Sequence, residues 1–449
     1  MNTPDRGITP PRVCWYGDDF TGATDTLAEV ARAGWRGLLF LGVPTADQLH
    51  RAGPLDAIGI AGAARGMAPA DMETELRAVG HFMAGTGARV LHYKCCSTFD
   101  SAPHVGSIGV AIRELRRHMP NPLVPIVGGQ PSIGRYCSFA NLYARAGSAP
   151  NIHRIDRHPV MSQHPVTPMH EADLRLHLAA QGVTNIRSVP HTAYPRLRRA
   201  IDAPELEHWI DGIIDTTDGP LLLDLVDDEQ LTIIGRLIWR AAACVPLLAV
   251  GPSSVQQALA RAFSPGRESV PVTSLAPATG PVLVVAGSLS PVTARQISAC
   301  QRYVRQPVQA QRLLDDPMYA AQQVQQAAAT LVQGQNVLVH TDHPAHAVTA
   351  QQAAATARST AQLVAAIIQA SAKSGVQPSR IGIAGGDTSS QATLALGLWG
   401  LAFRCVLAPG VTVSVARSDN PAIDGIELML KGGQMGGDLL FDDLANGTA

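Results

Sequence analysis

The residues best suited to chemistry stand at three points in the first hundred positions. Gly17-Asp18-Asp19-Phe20-Thr21-Gly22-Ala23-Thr24-Asp25 sets three carboxylates among glycines and threonines. Arg65 is the one cation in the small-residue run Gly62-Ala63-Ala64-Arg65-Gly66. Lys94-Cys95-Cys96-Ser97-Thr98-Phe99-Asp100-Ser101 joins an ammonium to two thiols and three hydroxyls. Arg65 and Lys94 suit a small anion such as a sugar-acid carboxylate, because charge-assisted bonds orient it. Asp18 or Asp19 suits a substrate hydroxyl, as acceptor and general base.

The same residues have plainer uses. A carboxylate at a helix start caps free amides, and one of Asp18 and Asp19 is expected to do only that. Arg65 alone could be a solvated loop charge, and Lys94 could pair with Asp100. Cys95-Cys96 lacks the C-x-x-C spacing of redox and zinc sites and reads as buried small side chains, with a thiol nucleophile as the rival. His153, His158, His164 and His170 lie five or six residues apart in a Pro-bearing stretch. That spacing fits no zinc pattern, so no metal-ligand set is expected, and only His164 is placed near a substrate.

A second chemistry lies past residue 280. Gly287-Ser288-Leu289-Ser290 and Gly385-Gly386-Asp387-Thr388-Ser389 each follow an apolar run and open a helical pattern. Glycine lets backbone approach an anion, and the free amides of a helix's first turn bind phosphate oxygens. Neither is a Walker A loop or a Gly-x-Gly-x-x-Gly fingerprint. An ordinary capped βα turn is the simpler use of either. Asp387 suits a metal–nucleotide or a ribose hydroxyl, or simply complements the helix dipole.

These groups need a scaffold that gathers them. Short apolar runs at 12–16, 38–42, 57–61, 89–93, 123–127, 220–226 and 245–250 alternate with helical patterns, and again at 281–286, 337–340 and 380–384. Such alternation predicts parallel sheets whose strand ends share one edge, where ligands bind. Residues 151–170 read as an aperiodic loop across the sheet edge. The Gln- and Ala-rich stretches 305–335 and 349–370 read as helices. Residues 264–280, rich in Pro, Ser, Thr and Gly, mark a domain boundary.

The 449-residue chain has Lys plus Arg 35 against Asp plus Glu 36. That balance argues against a nucleic-acid partner. The polar start lacks a secretory h-region, and apolar runs stop well short of a membrane span. Seven scattered cysteines fit a reducing, cytoplasmic setting.

The motifs carry a closer resemblance. Asp-Asp-Phe-Thr-Gly-Ala-Thr-Asp at 18–25, Lys-Cys-Cys-Ser-Thr-Phe-Asp-Ser at 94–101 and Gly-Ser-Ile-Gly at 106–109 resemble the four-carbon acid sugar kinase family. So do His-Pro-Val-Thr-Pro-Met at 164–169, Gly-Ser-Leu-Ser at 287–290, Gly-Gly-Asp-Thr-Ser at 385–389 and Leu-Lys-Gly-Gly-Gln-Met-Gly at 430–436. The matches run in family order over nearly the whole chain. The resemblance implies an α/β protein of two domains, each a mainly parallel sheet flanked by helices, with the active site in the cleft between them. A sugar-acid-binding domain would span 1–265 and a nucleotide-binding domain 278–449. It implies ATP-dependent phosphorylation of a small sugar acid such as threonate, erythronate or 3-oxo-tetronate, with Mg²⁺ and a possible homodimer. Asp19, Arg65, Lys94, Cys95, Cys96 and Ser97 would contact the acid, with Asp19 as base. Ser288 or Ser290, Gly385, Gly386, Asp387, Thr388 and Gly433 would contact ATP.

Three departures bear on the substrate. Arg65 has smaller flanks than the family's usual Leu-Lys-Ser-Arg-Ser segment. The usual Pro-x-x-Pro-x-x-Gly-Arg-Thr stands here as Gly128-Gly129-Gln130-Pro131-Ser132-Ile133-Gly134-Arg135-Tyr136. The Arg/His/Asp-rich run 151–163 is unusual, and these last two departures leave the identity of the acid open, a substrate outside the tetronates included. A non-catalytic sensor of a sugar acid and a nucleotide is the reading from another class.

Overall fold

The computed structural model describes residues 9–146, 150–164, 166–195, 203–263, 274–287, 290–342, 350–408 and 410–448. The chain divides into two compact units, Met1–Val270 and Pro271–Ala449.

The first unit holds strands β1 (Val13–Gly17), β2 (Gly37–Phe40), β3 (Ala57–Ala61), β4 (Val90–Lys94), β5 (Val124–Gln130), β6 (Arg135–Ser138), β7 (Asn141–Arg145), β8 (Ile152–Arg154), β9 (Arg187–Val189), β10 (Pro220–Asp224) and β11 (Leu247–Gly251). Eight of them form a parallel sheet in the order β2-β3-β1-β4-β11-β5-β10-β9. Every residue of β1, β4, β5 and β11 is buried, as expected of strands covered on both faces. The register sets Ala61, Gly17, Lys94 and Gly251 side by side across β3, β1, β4 and β11. The loops after these strands therefore leave from one row.

The second unit holds β12 (Val282–Ala286), β13 (Val304–Val308), β14 (Val337–Thr341), β15 (Arg380–Ala384), β16 (Leu398–Ala408), β17 (Val411–Ser418) and β18 (Glu427–Lys431). Strands β13-β14-β12-β15-β18 run parallel, and β17 and β16 extend the sheet antiparallel. Ala286, Ala384 and Lys431 stand in one row at the carboxyl ends.

Several expectations need correction. The first helix spans Phe20–Arg32 and so begins inside the acidic motif, because Asp19 caps it from the turn. The 151–170 stretch is not all loop. Ile152–Arg154 pairs antiparallel with β7, continuing a side sheet β5-β6-β7-β8. Residues 304–308 form edge strand β13 instead of the start of a helix. Pro307, which has no amide to donate, is tolerated there because β13 pairs only with β14. The long hairpin β16-β17 was not expected, although Val411-Thr412-Val413-Ser414-Val415 alternates apolar and polar residues as a strand does. Among the described residues no helix is long and apolar enough to cross a membrane.

One buried group ties the row of strand ends together. His92 on β4 is fully buried and its Nε2 donates to the Gly251 carbonyl at 2.9 Å. Burial, helped by Lys94, pulls its pKa down from 6.5 to about 3. The unfolded chain therefore binds a proton that the folded one refuses across that interval. This contribution to stability is present above about pH 6.5 and is lost as pH falls toward 3. Thermal denaturation of His92→Gln should show a flatter loss between about pH 6.5 and 4, with a difference of up to about 1.4 kcal/mol per pH unit.

Candidate active site

The acidic turn is built by the chain's exit from β1. Asp19 has extended backbone, and its Oδ1 accepts from the Gly22 amide at 2.7 Å, closing the first turn of the helix. The Asp18 carbonyl accepts from the Arg65 amide, and its own amide donates to the Lys94 carbonyl, both at 3.0 Å. The backbone alone thus joins the three loops.

The side chains converge further. Arg65 grips Asp18 with two bonds, Nε to Oδ2 at 3.2 Å and Nη2 to Oδ1 at 2.8 Å. Its Nη1 lies 2.7 Å from Asp19 Oδ2. Lys94 Nζ stands 4.0 Å from Asp19 Oδ1 and does not turn to Asp100. Asp100 instead accepts from Thr98, which also meets Cys96 Sγ at 2.9 Å. Asp18 and Lys94 are buried, whereas the Asp19 carboxyl keeps 31% of its side-chain surface.

Burial is the largest influence on Asp18 and pushes its carboxyl upward, while Arg65 and Lys94 act against it. Burial also opposes the charges of Arg65 and Lys94. For Arg65 the fields of Asp18, Cys96 and Asp19 outweigh it, and for Lys94 those of Asp19 and Asp18 do, so both end above their ordinary values. Of the two carboxylates Asp19 is the cap, and it is also the more exposed one, so capping is not its only possible use.

Cys95 is buried, with its amide on the Gly251 carbonyl at 3.1 Å. Burial, then Asp18, pushes its thiol well up, and burial, then Asp100, raises Cys96. Neither is a ready thiolate, which weighs against a thiol nucleophile. Ser97 is buried at the same strand exit. His164 is a turn cap: its Nδ1 accepts from the Thr167 amide at 3.1 Å.

In the second unit the expected phosphate loops leave adjacent strands. The Gly385 amide donates to the Lys431 carbonyl at 2.9 Å and the Gly287 amide to Ala384 at 3.0 Å. Gly385 takes φ 130°, open to glycine, and delivers the chain into the Gly386–Ala395 helix with no side-chain cap on its first amides. Gly386 and Asp387 are exposed there, and Thr388 is buried. Thr388 Oγ1 would stand 2.5 Å from a Cβ at position 287, so the two loops pack against each other. Ser290 caps the Pro291–Ala299 helix by accepting from the Val292 amide at 3.2 Å. The Gly433 carbonyl accepts from Thr293 Oγ1 at 2.9 Å. Ser288 lies outside the described residues.

Three residues were underrated from sequence. Ser253, after β11, donates to Asp25 and so fixes the acidic helix from a distant loop. Arg135 lies within electrostatic reach of Cys96, its Nε is buried without a partner, and no ion pair among the described residues includes it. Lys431 sits inside the Gly-rich tail motif, where only the glycines drew notice.

Comparison with known proteins agrees with this layout. A model described as sugar-binding N-terminal domain matches residues 13–259, and one described as nucleotide-binding C-terminal domain matches 283–441. The chain belongs to the four-carbon acid sugar kinase family. Within that family it is 38% identical to a 3-oxo-isoapionate kinase of Paraburkholderia graminis, over 97% of this chain and 94% of that one. It is 30% identical to a 3-oxo-tetronate kinase of Methylobacterium radiotolerans, over 94% and 95% of the two chains. The fold is shared with a Haemophilus influenzae protein at TM-score 0.75 and 23% identity, covering 96% of this chain and 98% of that one.

Gly22 leaves little room beside the charges of Asp19 and Lys94. A Cβ there would stand 1.9 Å from Lys94 Nζ and 2.5 Å from Asp19 Oδ1. Both are ends of side chains that can swing away, so Gly22→Ala should fold. It is expected to lower kcat/KM for the acid by about tenfold or more, with nucleotide affinity unchanged. Steady-state kinetics beside nucleotide titration checks this.

Proposed function

We propose that this chain transfers the γ-phosphoryl group of ATP to a hydroxyl of a small 3-oxo sugar acid. The observation that carries the reading is the convergence of Asp19, Arg65 and Lys94 at one sheet edge in the sugar-binding unit. The part-exposed Asp19 carboxylate accepts the hydrogen of the attacking hydroxyl and orients its oxygen. Phosphoryl transfer rests on positioning and charge neutralisation, so a base held between two cations is compatible with the role.

Arg65 and Lys94 already face Asp18 and Asp19, so the acid's own charge calls for a further cation. Arg135, with no carboxylate partner among the described residues, supplies it. Cys95, Cys96 and Ser97 form the wall at the end of β4. In the other unit, the amides of Gly386, Asp387 and Thr388 hold the ATP phosphates, with Gly385, Ser290 and Gly433 shaping the loops around them.

The residues present also suit Mg²⁺. This ion takes one or two protein carboxylates and otherwise arrives with the phosphates. Asp387, exposed in the first helical turn beside the Gly385 loop, is the carboxylate that would hold it. When bound it would neutralise phosphate charge. The seven free cysteines support a reducing compartment.

Identity of 38% to the isoapionate enzyme against 30% to the tetronate enzyme supports a substrate beyond the tetronates, as do the departures at 128–136 and 151–163. A coupled ADP assay over 3-oxo-isoapionate, 3-oxo-tetronates, threonate and erythronate tests this, with the first expected to give the highest kcat/KM. ADP release that ignores every acid would overturn the reading, and no turnover beside tight binding of both ligands would favour a sensor. Asp19→Asn should lower kcat by about a hundredfold or more, and unchanged turnover would remove Asp19 as base.

A further inference from the structure

A buried cation here ordinarily has an acid partner, as Arg380 of the second unit, 4% exposed, has in Glu427 at 2.6 Å. Arg65 and Lys94 are matched by carboxylates. Lys431, at the end of β18, is 2% exposed and belongs to no ion pair among the described residues. Its Nζ donates to Thr293 Oγ1 at 3.1 Å and approaches the Gly433 carbonyl at 3.5 Å. Thr293 Oγ1 donates a hydrogen bond to that same carbonyl. The far side of the ammonium faces the Phe441 ring, 5.9 Å from its centroid. An ammonium buried against neutral groups is costly, and proteins keep one where something else is meant to complete it.

Its place says what that is. Lys431 stands in the row with Ala286 and Ala384, where the loops at 287, 385 and 432 begin. Its carbonyl holds the Gly385 amide, and its ammonium holds Gly433 against the first turns of the Pro291–Ala299 helix. These are the segments assigned above to the ATP phosphates. We propose that Lys431 is a positioning residue of the nucleotide site, an ammonium with no acid partner that gains its counter-charge when the ATP phosphates bind. The inference rests on the kinase reading and deepens it.

The surroundings make the charge sensitive to binding. Burial alone lowers Lys431 from 10.5 to about 8, with no charged neighbour contributing. The nearby carboxylates are engaged elsewhere: Asp442 accepts from the Gln301 and Arg302 amides, and Asp438 pairs with Arg295. Asp387 lies on the exposed face of its own helix. A bound polyphosphate favours the protonated form and raises the lysine again. Between the free and bound values, the free protein has largely lost the proton and the complex holds it. ATP binding near pH 9 must therefore take up a proton, roughly 0.5 to 1 per site. ATP itself is fully ionised there and contributes none.

The test is calorimetric titration of the full chain with Mg-ATP, without acid, at about pH 7 and pH 9. Two buffers of different ionisation enthalpy are used at each pH. Net proton uptake at the higher pH, and little at the lower, is expected. Lys431→Met should abolish the uptake and weaken ATP by roughly tenfold or more, while Lys431→Arg should bind ATP without the pH dependence. A wild-type protein that binds ATP near pH 9 with no uptake overturns the inference, whether or not either variant folds. So does a Lys431→Met protein that binds ATP with the uptake intact. These outcomes leave acid-dependent ADP formation untouched, whereas failure of ATP to bind at all removes both the inference and the kinase reading.

Discussion

A carboxylate enclosed at the end of a parallel strand must be met by a cation, and the Asp18–Arg65 pair is the constraint on which the sugar-binding unit depends. Two parallel bonds fix the guanidinium, and with it the loop after β3. The same guanidinium reaches Asp19, which caps the first helix and faces Lys94 on β4. Three strand exits are thereby locked at one edge. Removing one partner of such a buried pair costs about 3–5 kcal/mol, because it leaves the other charge alone. The geometry of the site and the stability of this edge are therefore the same interactions seen twice.

The nucleotide-binding unit reaches an equally ordered edge by backbone means. Its loops leave β12, β15 and β18 from one row, are cross-linked by the amides of Gly287 and Gly385, and present free amides of a helix. Carboxylates are sparse at that edge, as an anion-binding surface requires. Lys431 beneath it gives a positive charge that the protein itself leaves unanswered.

Much of this was legible in the chain. Buried parallel strands print as uninterrupted apolar runs, and β3 and β15 fall where the runs at 57–61 and 380–384 stood. The polar residues after them had to emerge together once the sheet was parallel. What the sequence could not convey were relations of register and partner. Nothing local says that Asp19 instead of Asp18 caps the helix, that Lys94 turns to Asp19 and away from Asp100, or that Ser253 is bonded to Asp25 from 228 positions away. The edge strand Val304–Val308 hid in a Gln-rich stretch because three of its five residues are exposed and one is proline. Lys431 hid because its meaning lies in the absence of an acid nearby, which only three dimensions reveal.

The side sheet β5-β6-β7-β8 carries a consequence for how such enzymes diversify. The four charges of Asp18, Asp19, Arg65 and Lys94 balance one another, so that cluster tolerates little change without collapse. Arg135 and the segments 131–136 and 152–164 hang from the rim of the main sheet on an antiparallel extension, and altering them leaves every strand of the parallel core in place. On the proposed reading, in which Arg135 meets the acid, a lineage could retune which acid it accepts by rewriting this appendage while inheriting the edge of Asp18, Asp19, Arg65 and Lys94 unchanged.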